Sequence, residues 1–212
     1  MLPASNLWAF VLASVVLIVI PGPSVLFVIG RSLALGRMGG LLSVVGNAIG
    51  MLPLVAAVAL GVGTVVAQSV ALFTAIKIGG ALYLAYLGVQ AIRHRADAED
   101  AVTRQVAPRS PWRLLGEGVV VGVTNPKTIA FFVAVLPQFV DFHAGGIPLQ
   151  MAMLGTAFVV LALACDSVWA LAAGTARDWF ARSPRRASQL AASGGVMMIG
   201  LGGVLALSGN KH

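Results

Sequence analysis

Long apolar stretches alternate with short polar ones along the whole chain, and six of them, near 7–30, 41–66, 69–92, 114–140, 149–173 and 190–207, are long enough to be spans. A helix needs about 20 apolar residues to cross the hydrocarbon, so each stretch predicts one transmembrane helix. Two of the six are interrupted in the same manner. Pro21-Gly22-Pro23-Ser24 breaks the first, and Asn125-Pro126-Lys127-Thr128 breaks the fourth. A proline within a span frees backbone groups that lipid cannot satisfy, so a broken helix survives only where protein or a polar cavity receives them. The pattern predicts an all-α polytopic membrane protein of six transmembrane helices, with the first and fourth broken.

Composition agrees with the bilayer class: 58% of the 212 residues are hydrophobic and only 10% are charged, and the mean hydropathy is +0.94. A soluble domain of this length needs more charge to cover its surface. The net charge of +7 suggests nucleic acid at first sight. The basic residues, however, sit in short loops, where they act as topology signals, and no nucleic-acid partner is expected. The first stretch has no basic n-region and no convincing cleavage site before Pro21, so it is expected to be a retained span and not a removed signal peptide. A single cysteine, Cys165, excludes an intramolecular disulfide or a CxxC redox pair.

The loops carry charge unequally. Arg31 and Arg37 lie in the first, Arg93, Arg95, Arg104, Arg109 and Arg113 in the third, and Arg177, Arg182, Arg185 and Arg186 in the fifth. The second and fourth loops have no Lys or Arg, and the tail adds only Lys211. Eleven basic residues against one place the odd loops in the cytoplasm and both termini outside. The third loop also divides the chain into repeat one (1–93), a cytoplasmic linker (94–111) and repeat two (112–212), within one membrane domain. Three spans per half give the halves opposite orientation, an inverted repeat whose two breaks meet near the bilayer centre. Many secondary transporters bind cargo at such a place. The alternative is two ordinary proline kinks.

Ionisable residues within the spans are few: Lys77, Lys127, Asp166 and, near the cytoplasmic boundary, Glu117. An uncompensated charge at a helix centre costs roughly 2.5–3.5 kcal/mol on insertion scales, so these side chains are expected to face the bundle interior or a wet cavity. Lys127 and Asp166 are suited to the carboxylate and ammonium of a zwitterion, or to proton exchange; the alternative is a structural ion pair. Helices restarting at Ser24 and Thr128 would add free N–H groups and a positive dipole end for a carboxylate. Pro21, Gly22, Pro23, Ser24, Asn125, Pro126, Lys127 and Thr128 are therefore candidate substrate-site residues, with Asp166 and Lys77 as candidates for ion coupling. Lys77 could equally snorkel to the outer interface. Asn47 and Tyr83 are further substrate-site candidates, with interhelical bonding and interface anchoring as their respective alternatives. Glu117 is expected to be an interfacial residue near Arg113, with no transport role. Gly46-xxx-Gly50 and Gly118-xxx-Gly122 point to close helix approach. Glycine-rich faces permit a homodimer without requiring one.

With these residues in hand, the chain resembles the LysE/RhtB superfamily of bacterial amino-acid exporters. The resemblance rests on four places: Pro21-Gly22-Pro23 with the run to Arg31; the stretch from Ile76-Lys77-Ile78-Gly79-Gly80 to Gly88; Asn125-Pro126-Lys127 with Leu136-Pro137-Gln138-Phe139; and Gly200-Leu201-Gly202 to Leu207. It implies a multi-pass protein of the bacterial inner membrane that exports small amino acids or derivatives from the cytoplasm, driven by an ion gradient. No phosphate-cradling P-loop is present. Met51 stands where many relatives carry a polar or acidic residue. A site so poor in carboxylates suits a neutral amino acid better than lysine or arginine.

The expected mechanism is alternating access with proton antiport, Asp166 releasing the substrate ammonium on protonation. A membrane enzyme is disfavoured, because His94 and His143 belong to loops on opposite sides, His212 is terminal, and no metal-ligand spacing occurs; no metal or cofactor is expected. Export of another small metabolite or ion remains an alternative within transport. A passive channel or a membrane scaffold is the alternative outside it. Saturable, gradient-driven flux separates the exporter from both.

Overall fold

The structure, a computed structural model, describes residues 3–62, 70–103, 110–176, 179, 182–183 and 185–207. Arg104, Pro108, Arg109, Arg177, Lys211, His212 and the second loop near Ala67 and Gln68 lie outside the described residues. Among the described residues there are eight α-helices and no strand: α1 Ala4–Val19, α2 Pro23–Ala57, α3 Val70–Arg93, α4 Ala96–Thr103, α5 Pro111–Thr124, α6 Pro126–Ala134, α7 Ile147–Thr175 and α8 Arg185–Leu207. A π-helical turn, Val58–Val62, continues α2, and a 3-10 turn, Leu136–Phe139, follows α6. By length and hydropathy four described helices can cross a membrane. The number is five when α5 and α6 with its 3-10 turn, bent by 43°, count as one span.

Both expected breaks are present, and each helix restarts on a proline. Pro23 opens α2 with Gly22 as its N-cap, and Pro126 opens α6 with Asn125 as its N-cap. Proline suits the first helical position because its missing N–H would be unpaired there and its φ is already helical. The restarts therefore fall at Pro23 and Pro126, one and two residues earlier than Ser24 and Thr128, where the sequence pattern put them.

Helix α2 is not one straight rod. Gly36 has φ 76° and ψ 179°, a backbone region that only glycine occupies readily. Val28, Val44 and Ala170 share one buried cluster, whereas a straight helix would hold Val28 and Val44 about 24 Å apart. The chain turns at Gly36 and brings both halves of α2 against α5 and α7. The first loop is thus a tight reversal between Arg31 and Arg37.

Glycines set the closest helix contacts. A Cβ on Gly46 or Gly50 would lie 2.2 Å from the carbonyl oxygen of Leu115 or Val119, and one on Gly122 would lie 2.2 Å from that of Asn47. The two glycine pairs read from the sequence interlock, and the backbones of α2 and α5 touch. On the other side α3 packs against α8, where Gly88 and Gly195 face each other's carbonyl oxygens. The linker is partly helical: α4 carries Asp97 and Glu99 in its first turn, which suits the helix dipole, and buries Ala98 against Ala187 and Ala191 of α8. The outward surface exposes large apolar side chains, among them Leu12, Leu52, Leu60, Leu82, Val160, Val168 and Val204. That is the surface a bilayer covers.

Candidate functional site

The two breaks are tied to each other. Lys127, the second residue of α6, extends its ammonium across the bundle and donates to the carbonyls of Leu17 at 3.0 Å and Ile20 at 2.8 Å. These carbonyls belong to the end of α1, where the break leaves acceptors without helical partners. A cation also complements the negative end of that helix. The Asn125 side chain accepts from the Lys127 backbone N–H at 3.1 Å, capping α6, and its Nδ2 donates to Ser24 Oγ at 3.0 Å. Each break thus supplies groups that the other needs. This is why a sequence with two polar interruptions in apolar spans can fold.

Asp166 comes to the same place from the middle of α7. It is 2% exposed and accepts a 3.1 Å hydrogen bond from Asn47 Nδ2. Asn47 lies between Gly46 and Gly50, so the close α2–α5 contact carries its amide to the carboxylate. Its Oδ1 is buried without a hydrogen-bond partner. Asp166 and Lys127 line one small cavity with Ser24, Thr128, Ile18, Met51, Phe158 and Ala162. Opposite charges lining one small apolar-walled cavity attract each other. The direct partners of Lys127 are nevertheless the α1 carbonyls, and that of Asp166 is Asn47. The cavity has room for about one water molecule.

The other candidates are placed as follows. Gly22 is buried against Lys127, whose side chain would meet an added Cβ at 3.3 Å. Pro21 is buried, with its carbonyl against Gly194 of α8. Pro126 is half-buried, and Pro23 is exposed on the outer surface. Lys77 is buried within α3 but does not line the cavity. Tyr83 is 42% exposed on α3 and stacks on Tyr86 at 6.1 Å, away from the cavity lining. Of the candidate residues the structure therefore assembles Gly22, Ser24, Asn47, Asn125, Lys127, Thr128 and Asp166, and leaves Lys77 and Tyr83 outside the group.

Sequence reasoning missed the apolar half of the cavity. Ile18, Phe158 and Ala162 are ordinary span residues, and Met51 drew notice only as a departure from relatives. The one available signal was spacing: Phe158, Ala162 and Asp166 fall on one face of a helix at four-residue intervals. Glu117 does bond Arg113, at 3.2 Å, and also pairs with Arg31, which stacks over Phe27. These residues line a separate open pocket between α2 and α5 of about 530 Å³. Among the described residues no group of three or more His, Cys, Asp or Glu could hold a metal.

Comparison with known proteins bears on what such a cavity does. The family model described as LysE type translocator matches residues 15–209. An uncharacterized membrane protein of Vibrio cholerae is 35% identical over 203 residues, covering 95% of this chain and 97% of the relative. One from Pseudomonas aeruginosa is 32% identical, with 95% of each chain covered. A leucine efflux protein of Salmonella typhimurium is 29% identical over 157 residues, covering 74% of this chain and 73% of the relative. No solved structure matches. The family match spans both breaks, Asp166 and nearly all of the apolar chain. The protein therefore belongs to the LysE type translocator family and is a membrane transporter, not an enzyme.

Proposed function

We propose that this protein is a secondary active exporter that moves neutral amino acids out of the cytoplasm by alternating access, in exchange for protons. The observation that carries the reading is the buried cavity where Lys127, Asp166 and the uncapped start of α2 converge. Gly22 offers no side-chain cap, so the first N–H groups of α2, at Ser24 and Val25, are available to a carboxylate. Two of the three ammonium protons of Lys127 are committed to α1 carbonyls, which leaves one for the same carboxylate. Asp166 would hold the substrate ammonium, with Asn47 Oδ1 as a second acceptor. Asp166 is the one buried carboxylate among the described residues, so a second cationic group on the cargo would lack a partner. That favours a neutral amino acid. The name of the Salmonella relative agrees with this class.

Protonation of Asp166 would remove the charge that holds the ammonium, and would return a proton inward for each substrate released outward. The packing supports two inverted three-helix repeats in six spans, if Gly36 is the turn between the first two. Exchanging span one with four, two with five and three with six maps the α2–α5 contact onto that of the start of α2 with α7, and maps the α3–α8 contact onto itself. In this arrangement the arginine-bearing loops face the cytoplasm of a bacterial inner membrane and both termini lie outside.

Cells loaded with dipeptides and expressing the protein, the Asp166→Asn variant or an empty vector test the proposal. The ratio of extracellular to intracellular concentration is expected to rise for a subset of neutral amino acids with the wild type alone. No rise for any amino acid would move the function to another metabolite or to a passive role.

A further inference from the structure

The cavity has an apolar half that recognition of a zwitterion does not use, and its shape bears on which side chains can enter. Phe158, Ala162 and Asp166 stand one above another on α7, each pair separated by about 6 Å of helix rise. Beyond Asp166 in the other direction the same face is shut, because Ala170 is fully buried against Val28 and Val44. A substrate whose ammonium rests on Asp166 can therefore extend only toward Ala162 and Phe158. The Phe158 ring is a fixed wall, packed against Phe131 at 5.1 Å and Phe132 at 5.0 Å between centroids. Ile18 closes the side next to the end of α1, and Met51 closes the side next to α2. Methionine is unbranched and turns about three bonds, so Met51 is the lining group that can yield space when a ligand enters.

From this geometry we infer that Ala162 determines the length of the side chain the site accepts, and that the site takes aliphatic neutral amino acids up to about the size of leucine. The inference rests on the export reading of the same cavity. The cavity as it stands holds about one water molecule, so a side chain enters only as Met51 moves aside. An aliphatic one about one helical turn long would then reach from the carboxylate level to Ala162, the smallest apolar side chain of the lining. A longer or aromatic side chain meets the Phe158 ring. The polar lining groups, Ser24, Lys127, Thr128 and Asp166, belong to the helix starts and the carboxylate that take the zwitterion. Ala162, Phe158, Ile18 and Met51 offer a side chain neither charge nor hydrogen bond, which disfavours cationic, anionic and amide-bearing cargo.

The test compares the wild type, Ala162→Leu and Ala162→Gly by export of alanine, leucine and phenylalanine from dipeptide-loaded cells, with membrane levels of each protein measured. Ala162→Leu is expected to lower the leucine-to-alanine export ratio at least tenfold. Ala162→Gly is expected to raise the phenylalanine-to-leucine ratio severalfold. Should Ala162→Leu not accumulate in the membrane, the Ala162→Gly ratio decides alone, because it removes bulk instead of adding it. A wild type that exports amino acids with ratios unchanged in the accumulating variants overturns the inference and leaves the export reading intact. Export of charged amino acids by the wild type, with none of the aliphatic ones, likewise overturns it. A wild type that exports no amino acid overturns the export reading instead.

Discussion

Replacing Lys127 with methionine is expected to destabilise the protein by about 3–5 kcal/mol, through two buried acceptors left without their donor and a buried carboxylate left without a nearby cation. Two effects act together. The carbonyls of Leu17 and Ile20 lose their donor in an apolar interior, where an unsatisfied group costs about 1–3 kcal/mol. Asp166 also loses the nearby positive charge. The second effect is separable, because Asp166→Asn removes the carboxylate that Lys127 compensates. The double variant Lys127→Met/Asp166→Asn should therefore be more stable than additivity predicts, by about 1 kcal/mol or more. Thermal unfolding in detergent of the four proteins in the cycle measures this coupling. Strict additivity would mean that the two charges do not sense each other across the cavity. In transport the single variant should lose about a hundredfold, as expected from roughly 3 kcal/mol of charge-assisted contact to a substrate carboxylate.

The second large effect lies where α2 and α5 touch. A Cβ on Gly122 would stand 2.2 Å from the Asn47 carbonyl oxygen, backbone against backbone, so no side-chain rotation relieves it. Gly122→Ala is expected to separate the helices and to cost about 3 kcal/mol, at the upper end of what overpacking does. Gly116 is the internal control. It belongs to the same helix, an added Cβ there meets nothing within 4 Å, and alanine should be neutral or slightly stabilising through helix propensity. Equal unfolding temperatures for the two variants would refute the close contact. The Gly122 change also bears on function, because the contact that it opens carries Asn47 to Asp166.

Much of this arrangement was legible in the sequence, because bilayer chemistry writes it in coarse letters. Apolar length marked an all-helical membrane protein, although four or five of the described helices, and not six, are long and apolar enough to be spans. The prolines marked both breaks, and the scarcity of charge drew attention to Lys127 and Asp166. The glycine pairs announced a close helix contact, and the structure interlocks them. What the sequence did not reveal were the pairings. Lys127 was legible as a candidate for a substrate carboxylate; that its ammonium also caps the end of α1 was not, because that role depends on where another helix stops. Gly36 looked like any loop glycine until its φ showed the turn. Lys77 and Tyr83 share a helix whose described side chains do not line the cavity, and hydropathy does not report which way a helix is rotated. The apolar lining escaped notice because Ile18, Phe158 and Ala162 differ from other span residues only in what they face.

The central claim is that Asp166 couples amino-acid export to protons, and proteoliposomes test it most directly. Vesicles carrying the wild type or Asp166→Asn are preloaded with radiolabelled leucine at equal concentration on both sides, and a pH gradient is then imposed. The wild type is predicted to move leucine against its developing gradient, at a rate that follows the pH difference, and Asp166→Asn is predicted to catalyse no uphill movement. Uphill movement by the variant with the same pH dependence would contradict the account.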